Sequence, residues 1–478
     1  MTPLGYILLP IGLAGLLTSA RWLYRFFVFW TLFSATSVLN VGAGDNGSAL
    51  QVWMFFGALW LLRLGLERIF LLSFSIDHRL KRMSYWLIAF LGVATASLAM
   101  PVLIDGSLQI ASPFLGDNTQ TPLVLSGHNI TQLLYLIFGG IIAICVAHAN
   151  LDDETRGETE RIILFSGIFI ACWGIFQFLC NVTGFPYPDF LLNNSGSASG
   201  KGFMEALSDI GIHRVSSAAV EPSVLAQALL TLLPLTLPAW RKRGFVFSRR
   251  RDRLVAVLFI VVLILSTSST AYLGFAILAL TYVVYSVRTG SFSKTKAFFV
   301  FALIGILATT IVSVAFISVP VVSQVVNSVL LSKASSGSGI ERAMTIAYAF
   351  GYFQKYPILG IGWGSATSHD VIVFLLSNVG IVGTVVFFCM IFSVIRPNWE
   401  KISSRNSPLE LSREVWLMSL VCFVLTSIPG GFPLVLGDFW FILGMAMATA
   451  CGAVPSGVRS ASKRMQRVVP RSPLNSET

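Results

Sequence analysis

Charge is what this sequence has least of. Only 12% of its 478 residues are Asp, Glu, Lys or Arg, while 55% are hydrophobic. Soluble domains run near ~25% charged, so an ordinary globular chain in water is excluded. Histidine is scarcer still, with five in all. The six cysteines (Cys145, Cys172, Cys180, Cys389, Cys422 and Cys451) all fall inside apolar runs. No pair of them shares a loop, which speaks against a disulfide framework or a zinc site and leaves small apolar packing residues. The short alternating segments of a membrane β-barrel are missing too.

What is present is a succession of apolar runs of helical length. Hydrocarbon offers no hydrogen bonds, so a spanning backbone must satisfy itself, and helices do this within one segment. The fold class expected is therefore an all-α polytopic membrane protein with about 12–13 transmembrane helices. The spans fall near 3–20, 22–41, 51–72, 84–104, 129–149, 162–181, 222–240, 254–266, 271–287, 297–317, 370–395, 414–428 and 437–454. The first run lacks a basic leader and reads as a retained span rather than a cleaved signal. Tight turns at STSST (266–270) and PGGFP (429–433) split two stretches too long for single helices. Four regions follow: N-terminal helices (1–160), a central region (161–395), C-terminal helices (396–454) and a basic tail (455–478).

The net charge of +11 would suit nucleic acid in a soluble protein. In a membrane chain the placement of Lys and Arg matters more than the total, so the expected partner is the bilayer and not nucleic acid. If RLKR (79–82) is cytoplasmic, the basic stretches at 241–253, 288–296, 396–413 and the tail fall on that side too. The outer loops then keep only Lys201, Arg214, Lys333, Arg342 and Lys355 of the 33 basic residues. The C-terminus is then inside. Two outer loops are long, 182–221 and 318–369, and long loops in compact bundles are usually functional or disordered.

The chemistry-bearing residues cluster in those loops. Arg214 precedes the span at Pro222, and Arg342 lies in a run whose apolar positions recur at helical spacing. Residues 339–353 read as an amphipathic surface helix ending before Pro357. The plainer reading of both arginines is pairing with loop acids such as Glu221 or Glu341. The sharper one is convergence on an anionic headgroup, which suits the bidentate guanidinium. Glu221 stands just before Pro222, where it could cap a helix, orient an arginine or take a proton. The run GIGWG places Gly360, Gly362 and Gly364 either in a hinge or in a backbone nest for an anion. His369 falls at the first turn of the next span, with Ser368 as its N-cap. There the helix dipole and a nearby arginine would keep the imidazole neutral and able to accept a proton. His78, His128, His148 and His213 read as interfacial hydrogen-bonding residues.

These residues together resemble the O-antigen ligase and O-antigen polymerase superfamily of bacterial inner-membrane enzymes. His369, Asp370, nine residues, then Gly380, Ile381, Val382 and Gly383 fit the spacing of its histidine motif, although ligases usually carry Asn, Ser or Gln where Asp370 stands. KYPILGIGWG (355–364), with Arg342 upstream, resembles another family segment. RVSSAAVEPSVLA (214–226) resembles the arginine-plus-EPS segment of the polymerases. STSSTAYLG (266–274) resembles a family turn whose arginine is replaced near Thr270.

The resemblance implies a fold similar to C-type glycosyltransferases, with both long loops and the active site in the periplasm. It implies a reaction that needs no metal and no cofactor, on an undecaprenyl-pyrophosphate-linked oligosaccharide. His369 would act as base and Arg214 and Arg342 would bind pyrophosphate. Glu221 would be catalytic, or share with Asp370 the holding of the histidine tautomer or an arginine. The acceptor is expected to be another lipid-linked repeat unit, as in a polymerase, with a chain-length regulator as a further partner. A ligase, transferring to lipid A-core, is the alternative. A lipid-linked sugar flippase is the second, disfavoured because no charged residue lies mid-span in 254–317 and no internal repeat is evident.

Overall fold

A computed structural model describes residues 1–41, 48–69, 78–111, 120–195, 214–241, 244–289, 337–402, 407–431, 434 and 436–452. The expected span at 297–317, His213, the basic tail and much of both long loops lie outside those residues. The described chain is mostly helical. In order it has α1 (Pro3–Thr18), α2 (Ala20–Trp30), β1 (Ser37–Val41), β2 (Ser48–Gln51), α3 (Val52–Ile69), α4 (His78–Ser97) and α5 (Ala99–Ile104). Then come β3 (Gln109–Ala111), β4 (Gln120–Pro122), α6 (Gly127–Ala149), α7 (Asp153–Thr183) and α8 (Asp189–Leu192). The remainder comprises α9 (Pro222–Leu232), α10 (Pro238–Arg241), α11 (Arg249–Leu265), α12 (Ser269–Arg288), α13 (Gly337–Lys355), α14 (Val371–Glu400), α15 (Pro408–Gly430) and α16 (Gly437–Cys451).

Among the described residues, six helices are long and apolar enough to cross a membrane: α4 with α5, α6, α7, α12, α14 and α15. Three further apolar helices are shorter, at 3–18, 222–236 and 437–451. The departures from the expected spans have local causes. The span at 22–41 is instead an 11-residue helix, roughly 17 Å long at 1.5 Å per residue, followed by turns and β1. Hydroxyls there bond backbone rather than continue a helix: Thr31 donates to Phe27 O and Thr36 to Leu192 O. The expectation of a purely helical chain is corrected by two antiparallel hairpins, β1–β2 and β3–β4. After α9 the helix tightens into a 3-10 turn at Leu233–Thr236, because Pro234 and Pro238 each lack the amide donor that an α-helix needs. The turn expected at 266–270 does separate α11 from α12.

The core is built around α16, whose residues are all buried, as expected for a helix apolar on every side. Phe439 packs on Phe423 and Phe387, with Trp440 edge-on to it. Trp440 also lies over Gly139 of α6, and Gly444 faces the backbone of Ala143. Small residues at these crossings let the two helices approach closely.

The bundle has two distinct ends. At one, the starts of α4, α7 and α15 meet the ends of α6, α14 and α16. Arg79 donates to Cys451 O at 3.0 Å, Arg413 to Thr449 O at 3.3 Å and Arg156 to Asn150 O at 3.3 Å. At the other end, the loop before α14 is held to α4 and α6. The amide of Trp363 donates to Ser97 Oγ at 3.0 Å, and Asn129 Nδ2 donates to Trp363 O at 2.8 Å.

Candidate functional site

The site begins with a break in a helix. Gly380 sits within α14 at φ 64°, ψ −168°, a region that L side chains avoid. A Cβ there would collide with the backbone of Ile358 and Leu359. The opening lets the preceding loop insert: Ile381 N–H donates to Pro357 O at 2.8 Å, and Ile361 N–H to Ser377 O. Asn378 completes the lock, its Oδ1 accepting from the amides of Ser365 and Ala366 and its Nδ2 donating to Ala366 O. The GIGWG loop is therefore packed against its neighbours. Gly360, Gly362 and Gly364 have positive φ and lie against α14, the α4–α5 junction and α6. The amides of Gly360, Ile361, Trp363, Ser365 and Ala366 all donate within the protein, which leaves at most those of Gly362 and Gly364 for an anion. These glycines fix the path of the chain into His369.

That path ends at an open cavity of about 380 Å³ whose lining includes Glu221, Gln227, Arg342, Ser368, His369 and Gly431. Three of the sequence-predicted residues thus meet, Glu221 from a segment more than a hundred positions before Arg342 and His369. Asp370 does something other than expected. It, not Ser368, is the N-cap of α14, and its carboxylate accepts from the amides of Ile372 (2.8 Å) and Val373 (3.0 Å). With its oxygen committed to orphan helix donors, Asp370 holds the helix start instead of an arginine or the histidine tautomer. His369 lies just before the helix, not in its first turn.

The tautomer is set by Thr345, a residue that sequence reasoning passed over. Its single hydroxyl hydrogen goes to Arg342 O at 3.0 Å. With that hydrogen on the carbonyl, Thr345 accepts from His369 Nδ1, 2.9 Å away, an arrangement that puts the ring proton on Nδ1 and leaves the Nε2 lone pair free. Burial, then the positive charge of Arg342, push the His369 pKa below its usual value, against smaller opposing effects of Glu341 and Glu221. The ring is thus a neutral base. Arg342 and Thr345 are three residues apart on α13, so they share a face. That spacing was the available signal.

Arg214 is placed by the segment that follows it. Gln177 Oε1 of α7 accepts from the amides of Ser216 (3.0 Å) and Ser217 (2.7 Å), while Ser217 Oγ donates to Ile170 O. Ser217 is held at φ 54°, a strained conformation that only such over-determined surroundings maintain. Among the described residues the Nε of Arg214 is buried without a hydrogen-bond partner. Burial lowers its pKa, Arg342 adds repulsion, and Glu221 partly offsets both; the guanidinium still remains charged. Arg342 donates to Pro429 O at 3.3 Å.

Pairing with loop acids is corrected: among the described residues neither arginine forms an ion pair within 4 Å. Glu221 stands at the N-cap position of α9 but caps nothing with its side chain, which accepts from Ser223 Oγ at 2.8 Å. Gln227, also unforeseen, reaches the cavity from the next turn of α9 and donates to Ser427 Oγ at 2.8 Å. Among the described residues no three His, Cys, Asp or Glu side chains gather with metal-ligand geometry.

The arrangement offers a neutral imidazole, a carboxylate with spare acceptor capacity and one guanidinium, Arg342, on one cavity, with Arg214 outside its lining but close enough to Glu221 and Arg342 to feel their charges. Such a set can take a proton from a hydroxyl while stabilising a multiply charged anion. No family model matches the chain, and no curated protein matches it.

Proposed function

We propose that the protein is a glycosyltransferase that moves a glycan from a polyisoprenyl pyrophosphate to a sugar hydroxyl. The observation that carries this reading is the neutral His369 held beside Arg342, which in turn acts on Arg214, whose Nε lacks a partner among the described residues. Two cations that repel one another are a preorganised receptor for a diphosphate.

In the reaction, His369 Nε2 takes the proton from the acceptor hydroxyl, and the freed oxygen attacks the anomeric carbon of the donor. The bond from that carbon to the diphosphate oxygen breaks, and the electron pair leaves on polyisoprenyl pyrophosphate. Arg214 and Arg342 stabilise the charge that grows there. Glu221 carries the opposite charge, limits the repulsion between the arginines and stands ready to bond a sugar hydroxyl. The resemblance to O-antigen polymerases supports the same assignment, with undecaprenyl pyrophosphate as carrier and a second lipid-linked repeat unit as acceptor. On this reading the chain lies in a bacterial inner membrane, with the His369 end periplasmic and the C-terminus cytoplasmic.

The test is reconstitution of the purified protein with undecaprenyl-pyrophosphate-linked repeat units alone, followed by gel separation of the glycolipids. A ladder of lengths is the expected result. Transfer only after lipid A-core is added would assign a ligase, and unchanged lipid-linked sugar in both mixtures would overturn the proposal.

A further inference from the structure

A second cavity lies at the opposite end of α14 from His369 and has a different character. It holds about 490 Å³ and lies where the start of α4 meets the ends of α14 and α16. Four cations line it, Arg79, Arg82, Arg396 and Lys401, against one acid, Glu400. Arg396 Nε donates to Glu400 Oε1 at 2.7 Å, which neutralises a single charge of each sign. Arg79 and Lys401 are fixed by donating to the last carbonyls of α16, those of Cys451 and Ala450. Arg82 is exposed one turn along from Arg79. Among the lining residues cations thus outnumber acids by three, and the positive N-terminal end of α4 adds to them.

The remaining wall is apolar. Trp86 and Phe392 lie at its edge, 39% and 59% exposed, and Met83 closes the inner side. A cationic cup rimmed by large apolar side chains, at the end of helices long enough to span a bilayer, matches a phosphate joined to hydrocarbon. Free phosphate would have no use for that rim. The volume falls within the ~300–1,000 Å³ of small-molecule sites. Basic pockets between transmembrane helices bind anionic lipid headgroups through the same chemistry.

We propose that this cleft binds the phosphodiester headgroup of an anionic glycerophospholipid, with Arg82 and Arg396 on the phosphate and Trp86 and Phe392 along the first acyl carbons. The proposal does not depend on the reaction assigned to the His369 end. A lipid held there ties the starts and ends of α4, α14 and α16 together.

The full chain, purified in a neutral detergent, is titrated with phosphatidylglycerol, with phosphatidylcholine and with inorganic phosphate, and bound lipid is counted by native mass spectrometry. Phosphatidylglycerol is expected to be retained and phosphatidylcholine not. The variant Arg82→Gln/Arg396→Gln should weaken retention about tenfold or more, since each lost charge-assisted contact to phosphate is a strong one. A charge-matched variant away from the cleft, Arg250→Gln/Arg288→Gln, should leave retention unchanged. If the double variant melts early, Arg82→Gln alone carries the comparison. Equal retention of both lipids, no loss in the cleft variant, or displacement of phosphatidylglycerol by an equal concentration of inorganic phosphate would each overturn the proposal.

Discussion

Two sets of arginines, one at each end of the helix bundle, are used in opposite ways. At the end where α4, α7 and α15 begin, and apart from the cleft lined by Arg82 and Arg396, the guanidiniums of Arg156, Arg413, Arg21 and Arg25 are built into the structure. Arg156 is 1% exposed and directs its nitrogens to Asp153, Asn150 O and Ser412 Oγ. Arg413 donates to Thr449 O and Lys401 O, and Arg21 and Arg25 share Glu158. At the His369 end, among the described residues, Arg214 keeps an Nε without a partner and Arg342 makes one long bond to a carbonyl. A buried or half-buried cation is costly unless paired. The first set has its hydrogen bonds met by the fold itself, whereas the second is left for something that enters by the cavity Arg342 lines. On the proposed function that something is a diphosphate.

The contrast predicts that substitutions in the second set change turnover and in the first change stability. The largest effect belongs to His369→Ala, which should lower the rate of glycan transfer about 10²–10⁴-fold, the usual range for a general base. Its thermal melt should stay where it is, since the ring contributes one hydrogen bond. Transfer at a near-normal rate would remove His369 from the reaction. Next comes Arg214→Lys, or equally Arg342→Lys, each lowering the rate about 10²-fold, because an ammonium cannot replace a planar fork on a diphosphate. A fall in melting temperature with intact turnover would show the arginine to be structural, and the comparison would break.

At the other end the reverse holds. Arg156→Met should cost about 1–3 kcal/mol of stability, chiefly from the unsatisfied Asn150 carbonyl and from the loss of the positive charge beside buried Glu160. Asp153 is 57% exposed, so losing its partner strands no buried charge. Turnover per folded molecule should be unchanged, measured on protein that survives a matched heat step. Thr345→Val is a smaller perturbation. It deletes the acceptor that fixes the His369 tautomer, a hydrogen bond worth about 0.5–1.5 kcal/mol, so the rate should fall up to about tenfold. Thr345→Ser should restore it, which a purely packing role for the methyl group would not allow.

How much of this was legible beforehand follows from what each feature depends on. His369, Arg342 and Glu221 stood out because charge is rare in the chain, and rarity needs no knowledge of the fold. Gly380 was visible only as a position in a motif, since the break it makes needs Pro357 and Ile358 to fill the gap. Thr345 and Gln227 were hidden for another reason. They are ordinary polar residues on ordinary helices, and their roles exist only because α13 and α9 lie against the same cavity. The role of Asp370 was misread because its spacing suits either a cap or a partner for histidine, and the amides of Ile372 and Val373 are the nearer claimants. Spans were misplaced where a few hydroxyls or a proline outweighed an apolar run, as at 31–37 and at Pro234.

The smallest predicted effect separates the two ends most finely, because it depends on charge alone. His369 must be neutral to accept a proton, and burial together with Arg342 holds its pKa below the usual histidine value. The rate should therefore persist as pH falls through 6.5, the value of an unperturbed histidine, and drop only at more acid pH. Glu341 opposes that depression; it is exposed on α13 and lies outside the residues assigned to the reaction. Replacing it, Glu341→Gln, removes a charge that favours the protonated ring, so the acid limb should move to still lower pH while the rate well above 6.5 stays constant. Glu410→Gln, the same change of charge at the start of α15, should leave the limb in place. A limb that moved upward in Glu341→Gln, or moved equally in both variants, would mean that a group other than His369 sets the acid limb. The reactive proton would then have to be sought elsewhere.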